Sequence, residues 1–125
     1  MDYNYDSSRL KSIFQDYREY YSKQYFAFAM TANIGDEFNK IIDFSAAPSM
    51  KNSFRLYIEK GISMGSFGNA LLCGDLFEAA ARVDFDNAMY IVDIANFVRY
   101  SFPSFTFGNR ELVNEWIKFG GALDL

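Results

Sequence analysis

Histidine is absent from this chain of 125 residues, and cysteine occurs once, at Cys73. No Ser-His-Asp or Cys-His relay can therefore be built, and no imidazole is present to hold a metal. A single thiol closes no intrachain disulfide and makes no Cys-based zinc site; among Leu71, Leu72 and Leu76 it reads as a small core hydrophobe. Enzyme chemistry would have to fall back on carboxylates, with Asp84 and Asp86 holding a metal, although acids at a helix corner more commonly serve as caps. Long apolar runs are missing too. The longest, Tyr25–Met30 and Ala88–Val92, have six and five residues, against the roughly 20 needed to span a bilayer. The opening "MDYNYDSS" is acidic and polar, unlike a secretory or transit signal, so no membrane association is expected and the cytoplasm is the expected location.

Excess positive charge is also lacking: 12 Lys and Arg face 16 Asp and Glu, a net charge of −4. Residues 1–60 carry eight of each sign, whereas residues 61–125 carry four basic and eight acidic residues. Binding of DNA or RNA rests on neutralising phosphates, and nothing here supplies that footprint. An acidic C-terminal half suits a basic patch on a protein partner instead. No cofactor or metal is expected.

What the sequence does hold is apolar and aromatic. Half its residues are hydrophobic, and there are fourteen Phe, nine Tyr and one Trp. The apolar spacing reads as successive helices. From Ser7 or Ser8 as N-cap, Leu10, Ile13, Phe14, Tyr17, Tyr20 and Tyr21 follow a helical stripe. Residues 23–34 fit either helix or a short strand, and helix is favoured because no second strand is available. Asp36 can cap a short helix bearing Phe38, Ile41 and Ile42, and Pro48 punctuates a loop. Further helices are expected from Asn52 or Ser53 to Gly61, from Ser66 to Gly74, and from an Asp75–Glu78 capping box to about Val83. Residues 86–101 read as the longest C-terminal helix, apolar on most of its circumference and hence buried, with Pro103 breaking it. Asn109 caps a last helix that ends at Gly120–Gly121. The expected fold is an all-α, compact single domain over 1–125, with five to seven mostly short helices around helix 86–101. Disorder is expected only near the ends, with residues 1–8 the candidate segment.

The stretch "KGISMGSFGNALLCGD", residues 60–75, places three glycines within eight residues. Its spacing matches neither the dinucleotide fingerprint nor the phosphate loop, and no strand precedes it. Gly61 as a left-handed C-cap and Gly65–Ser66 as the next helix start explain it as a corner. Free N–H groups at that start could still hold an anion. Arg82 with Asp84 and Asp86 reads as a salt-bridged corner or a ligand contact. Asp93, Asn96 and Arg99 are the polar positions of an apolar helix, paired internally or placed at an interface.

"YREYYSKQY" and "SFPSFTF" hold more rings than one helix face can hide. Tyrosine and tryptophan are enriched at the energetic centres of protein interfaces. Tyr17, Tyr20, Tyr21 and Tyr25 are therefore the candidate partner-binding residues, with self-association expected. The alternative is a nucleotide-like ligand held by Arg55, Tyr57, Gly65, Ser66, Arg82, Arg99, Tyr100 and Trp116, with stacking supplied by an aromatic ring.

From Arg55 onward, "RLYIEKGISMGSFGNALLCGDLFEAAARVD" and "FGNRELVNEWIKFGGALDL" resemble a family of small phage and prophage proteins of unassigned activity. Arg55, Tyr57, Ile58, Glu59, Gly61, Gly65, Ser66, Phe67, Asp75, Leu76, Arg82, Asp84, Pro103, Gly108, Trp116 and Gly120 carry the resemblance. Gly68, Gly74, Val83, Phe107, Asn109 and Ala122 depart from it. The resemblance implies a phage or mobile-element setting inside a bacterial host. There a small acidic protein would bind and block a host factor, antiviral defence included. It assigns no site residue.

Overall fold

The computed structural model describes residues 7–29, 50–83, 88 and 90–123. Among these residues the chain forms six α-helices and no strand. In order they are α1 (Ser7–Ala29), α2 (Lys51–Lys60), α3 (Ser66–Leu72), α4 (Leu76–Arg82), α5 (Ile91–Ser101) and α6 (Arg110–Phe119), with a 3-10 turn at Ser104–Thr106 before α6. The fold is all-α, and one hydrophobic cluster takes side chains from every helix.

Helix α1 settles the ambiguous segment as helix as far as Ala29, and Ser7 and Ser8 lie inside it; residues 1–6 and 30–49 fall outside the described residues, including the expected helix at Asp36 and the Pro48 loop. Its buried stripe is narrower than the sequence suggests. Leu10, Phe14 and Tyr21 are buried and Tyr17 and Tyr25 pack against the core, a spacing of four, three, four and four that holds to a single line. Ile13 and Tyr20 sit on the flank and remain exposed.

Rings assemble into two groups. Trp116 of α6 lies edge-on to Phe14 at 5.2 Å and contacts Tyr17, Phe105 and Phe119. Phe54, Phe97 and Phe102 form a triangle with every centroid separation at 5.4 Å, joining α2 to α5. Edge-to-face rings at such distances add to area burial because a positive ring edge meets a negative face. Between the groups runs a line of buried hydrogen bonds. The Trp116 indole N–H donates to the Tyr57 carbonyl at 2.9 Å, and the Tyr57 hydroxyl donates to the Thr106 carbonyl. Thr106 in turn donates through its hydroxyl to the Pro103 carbonyl at 2.7 Å.

Helix α5 departs from the expectation of a helix buried all round. Ile94, Phe97 and Val98 are buried, but the opposite side faces solvent, with Val92 67% and Tyr100 78% exposed. Its length is 11 residues; residues 84–87 and 89, including the Asp84 and Asp86 caps, lie outside the described residues. The deeper elements are α2 and α6, which bury Tyr57, Ile58 and Trp116.

The remaining boundaries follow the sequence. Asn109 Oδ1 accepts from the Leu112 N–H at 2.9 Å and Asp75 Oδ1 accepts from the Glu78 N–H at 3.0 Å, two side-chain N-caps. Gly61 ends α2 at φ 64°, its N–H donating to the Tyr57 carbonyl as in an αL cap, and the Ile62 N–H donates to the Leu56 carbonyl. The glycine stretch is thus a corner. Gly121, at φ 85°, has no room for a side chain: a Cβ there would lie 2.5 Å from the backbone of Glu59 and Lys60. That approach lets Ala122 and Leu123 donate to the Ile58 and Glu59 carbonyls at 2.8 and 2.9 Å. Gly121→Ala is expected to destabilise the chain by more than about 2 kcal/mol in urea unfolding. Gly65→Ala, at φ −63° with open space around it, should change stability by less than about 0.5 kcal/mol.

Candidate functional site

The α1 tyrosines read as partner-binding residues have divided roles. Tyr20 is exposed, Tyr17 and Tyr25 are half-buried against the core, and Tyr21 is fully buried. The Tyr21 hydroxyl donates to Glu59 Oε2 at 3.1 Å, tying α1 to α2. Tyr21 therefore has no surface to offer a partner. Burial and the neighbouring Glu59 charge push its phenol far above the ordinary tyrosine range, so it stays a donor at any physiological pH.

Among the described residues Glu59 is the one charged residue whose side chain is buried, at 3% exposure. The Arg55 guanidinium lies 3.6 Å from its carboxylate, one helical turn away and half in solvent. Burial raises the Glu59 carboxyl to about 7, against the lowering pull of the Tyr21 hydrogen bond and of Arg55 and Lys60. A buried acid near neutrality is also what proton-transfer sites use. Here the carboxyl is buried and accepts the Tyr21 hydroxyl, so it links α1 to α2.

Arg18 completes this junction. Its Nε and Nη2 donate to the Gly121 carbonyl at 3.1 and 2.9 Å, and Nη2 also reaches the Phe119 carbonyl at 3.0 Å. The guanidinium lies 3.9 Å over the Phe119 ring. A cation on the last carbonyls of α6 satisfies orphan acceptors and complements the helix dipole. Ser22 Oγ adds a bond to the Ala122 carbonyl at 3.3 Å. Arg18 lies off the apolar stripe of α1, and its position one residue beyond Tyr17 is the only hint of this role in the local sequence.

The nucleotide-type constellation is not assembled. Tyr57 and Trp116 are core residues whose polar atoms are already bonded to Thr106 and Tyr57. Arg55 faces Glu59, and Arg82 bonds Glu78 at 2.7 Å. Gly65 and Ser66 are exposed at the start of α3, while Arg99 lies over Tyr100 at 5.6 Å on the outer side of α5. Among the described residues no three His, Cys, Asp or Glu side chains come together as metal ligands would, and no helix is long and apolar enough to cross a membrane. Cys73 is half-buried against the core, its thiol raised by burial.

Comparison with family models, with curated proteins and with solved structures finds no match to this chain. Its own side chains carry the functional reading.

Two surface features stand out. Among the described residues, the four most exposed large apolar side chains, Phe77 at 88%, Tyr100, Val92 and Leu76 at 66%, all lie on α4 and α5. Leu76 and Phe77 follow directly on the Asp75 cap, and Phe77 is two positions from Ala79, the buried residue of α4, which places it on the far side. That offset was available in the sequence, but the aromatic-rich N-terminal segment drew attention from it. On α5, Asp93, Asn96 and Arg99 join Val92 and Tyr100 on the exposed side. Elsewhere, a groove of about 330 Å³ between α1 and α6 is lined by Lys11, Phe14, Glu115, Lys118 and Phe119.

The Glu59 junction carries a signed pH dependence. In the unfolded chain this carboxyl ionises near the ordinary value of about 4.3, whereas in the fold it does so at about 7. Between these values the native state holds a proton that the unfolded state has lost. The stabilisation is complete below the unfolded value and is lost as pH rises through 7. Glu59→Gln should flatten this fall, and the variant should gain on the parent by a few kcal/mol between about pH 5 and about pH 8, read from urea midpoints at each pH.

Proposed function

We propose that this chain is a non-catalytic interaction protein that self-associates and binds, and so blocks, a host protein in a phage or mobile-element setting. The setting comes from the sequence resemblance over residues 55–125 and implies the bacterial cytoplasm. One observation carries the binding reading: Leu76, Phe77, Val92 and Tyr100 are large apolar side chains left mostly in water on α4 and α5. Fully burying such a residue is worth roughly 1.5–3 kcal/mol, so their exposure favours a covered state. On α5 the outward group Val92, Asn96, Arg99 and Tyr100 combines an apolar residue, an amide and a Tyr–Arg pair. That composition matches interface centres, where Tyr and Arg are enriched. The basic-patch partner anticipated from the acidic C-terminal half finds Asp93 on the same side.

A second reading, capture of a nucleotide-like anion, is favoured by the α1–α6 groove, where Lys11 and Lys118 outnumber Glu115 beside the rings of Phe14 and Phe119. It would use none of the eight residues first considered for such a ligand.

For the first reading, affinity capture from bacterial lysate with the intact chain should retain a defined protein, and Val92→Ser with Tyr100→Ala should lose it while the circular dichroism spectrum is unchanged. Retention that is indifferent to both substitutions would remove α5 as the binding face. For the second, a thermal-shift panel of nucleotides should raise Tm at saturating ligand, and Lys11→Glu with Lys118→Glu should abolish the rise. A flat panel ends that reading.

A further inference from the structure

We propose that residues Gly120–Leu123 form a strap that Glu59 controls: with its carboxyl protonated the strap lies shut across the end of α2, and with it ionised the strap lifts while the helices stay folded. This device is built into the chain and works without a partner, so it stands apart from the interaction reading.

The strap is short and its attachments meet at one place. Ala122 and Leu123 donate to the Ile58 and Glu59 carbonyls at 2.8 and 2.9 Å. From α1, Arg18 and Ser22 donate to the Gly121 and Ala122 carbonyls. Ahead of these bonds stand Gly120 and Gly121, at φ 95° and 85°. Two adjacent glycines make a hinge, since each reaches many other backbone conformations at little steric cost. Beyond the hinge only Ala122 and Leu123 place apolar side chains in the core cluster.

Glu59 is joined to the strap through its backbone and to α1 through its carboxyl. Gly121 packs on the Glu59 carbonyl too closely to admit a Cβ, and Leu123 bonds that same carbonyl. The Tyr21 hydroxyl bonds the carboxyl at 3.1 Å. Other groups facing the carboxyl are few. From α1 come Tyr21 and Tyr17, both phenols raised by burial. Its own helix supplies Arg55, at 3.6 Å, and Lys60, which pull the carboxyl down. Residues 120–123 carry no ionisable side chain, and Asp124 lies outside the described residues. Burial outweighs the two cations, and the carboxyl ionises at about 7.

Once ionised, a buried carboxylate gains by reaching water. Of the two elements joined to Glu59, α1 is the costlier to move. Lifting it would expose Leu10, Phe14 and Tyr21 and undo the packing of Tyr17 and Tyr25, whereas lifting the strap exposes Ala122 and Leu123. Local opening follows the smaller loss of buried apolar contact. The strap therefore yields first.

The sign of the effect comes from proton binding. In the lifted state Glu59 ionises near its ordinary value of about 4.3, whereas in the shut state it does so at about 7. Between these values lifting releases a proton, so it grows with pH across that window and levels off above it.

The test is amide exchange of the full chain followed by NMR from about pH 5 to about pH 8, each rate divided by its intrinsic value at that pH. The Ala122 and Leu123 amides should be less protected than those of Val113 and Trp116 in α6, and less sensitive to low urea. Their protection should fall at least about tenfold between about pH 5 and about pH 7. Glu59→Gln, which keeps an acceptor for Tyr21, should flatten that fall. Arg18→Gln should lower the protection of both strap amides at every pH and leave the slope in place. Strap amides that match Val113 and Trp116 in protection and urea dependence would open only with the whole fold, which overturns the proposal. Wild-type strap protection that does not change with pH, or a pH slope that survives Glu59→Gln, would overturn it as well.

Discussion

The C-terminal end of α2 is where the architecture converges, because a helix ends with carbonyls that have no partner within it. Here three of those acceptors are met from distant parts of the chain. The Tyr57 carbonyl receives the Gly61 N–H and the Trp116 indole, and those of Ile58 and Glu59 receive the N–H groups of Ala122 and Leu123. The side chains of the same turn act in parallel, with Tyr57 reaching the 3-10 turn and Glu59 taking the Tyr21 hydroxyl. The positions of α1, α6 and the C-terminal segment all follow from how that one helix end is satisfied. Gly121 is glycine because the approach that makes those bonds leaves no room for a methyl.

Much of this was legible in the sequence, and the parts that were not share a cause. Helix boundaries at Gly61, Ser66, Asp75, Asn109 and Gly120 follow from local chemistry, since caps and left-handed glycines act within a few residues. Which side of a helix is covered depends on what packs against it, and that is not local. The apolar run of α5 therefore suggested burial all round, although Val92 and Tyr100 face water. Tyr17, Tyr21, Tyr57 and Trp116 were attractive as binding residues for the same properties, large rings with a polar tip, that suit them to a core where the tip finds a partner. Arg18 and Glu59 were passed over because each gains its role through contacts with residues far away in sequence.

The tyrosine-rich N-terminal helix and the quieter α4–α5 region thus exchange the parts their compositions suggested. Tyrosines of α1 go largely inward, where Arg18, Tyr21 and Ser22 grip the C-terminal segment and Glu59. Among the described residues the most exposed rings and aliphatic groups belong to short helices with few aromatic residues each, while α1 leaves Ile13, Tyr20 and Phe26 partly outside. Excess aromatic content in a sequence points to an interface only once the core has taken its share. In this chain the core is built largely of rings, and what it leaves outside is a small, well-defined set.

The Arg18 clasp has a consequence for biosynthesis. Its carbonyl acceptors lie 101 and 103 residues farther along the chain. During translation α1 emerges well ahead of these acceptors, so its arginine finds its place only once α6 and the segment after it are made. Throughout that interval the Phe14 side of α1 lacks the Trp116 and Phe119 rings that cover it in the fold.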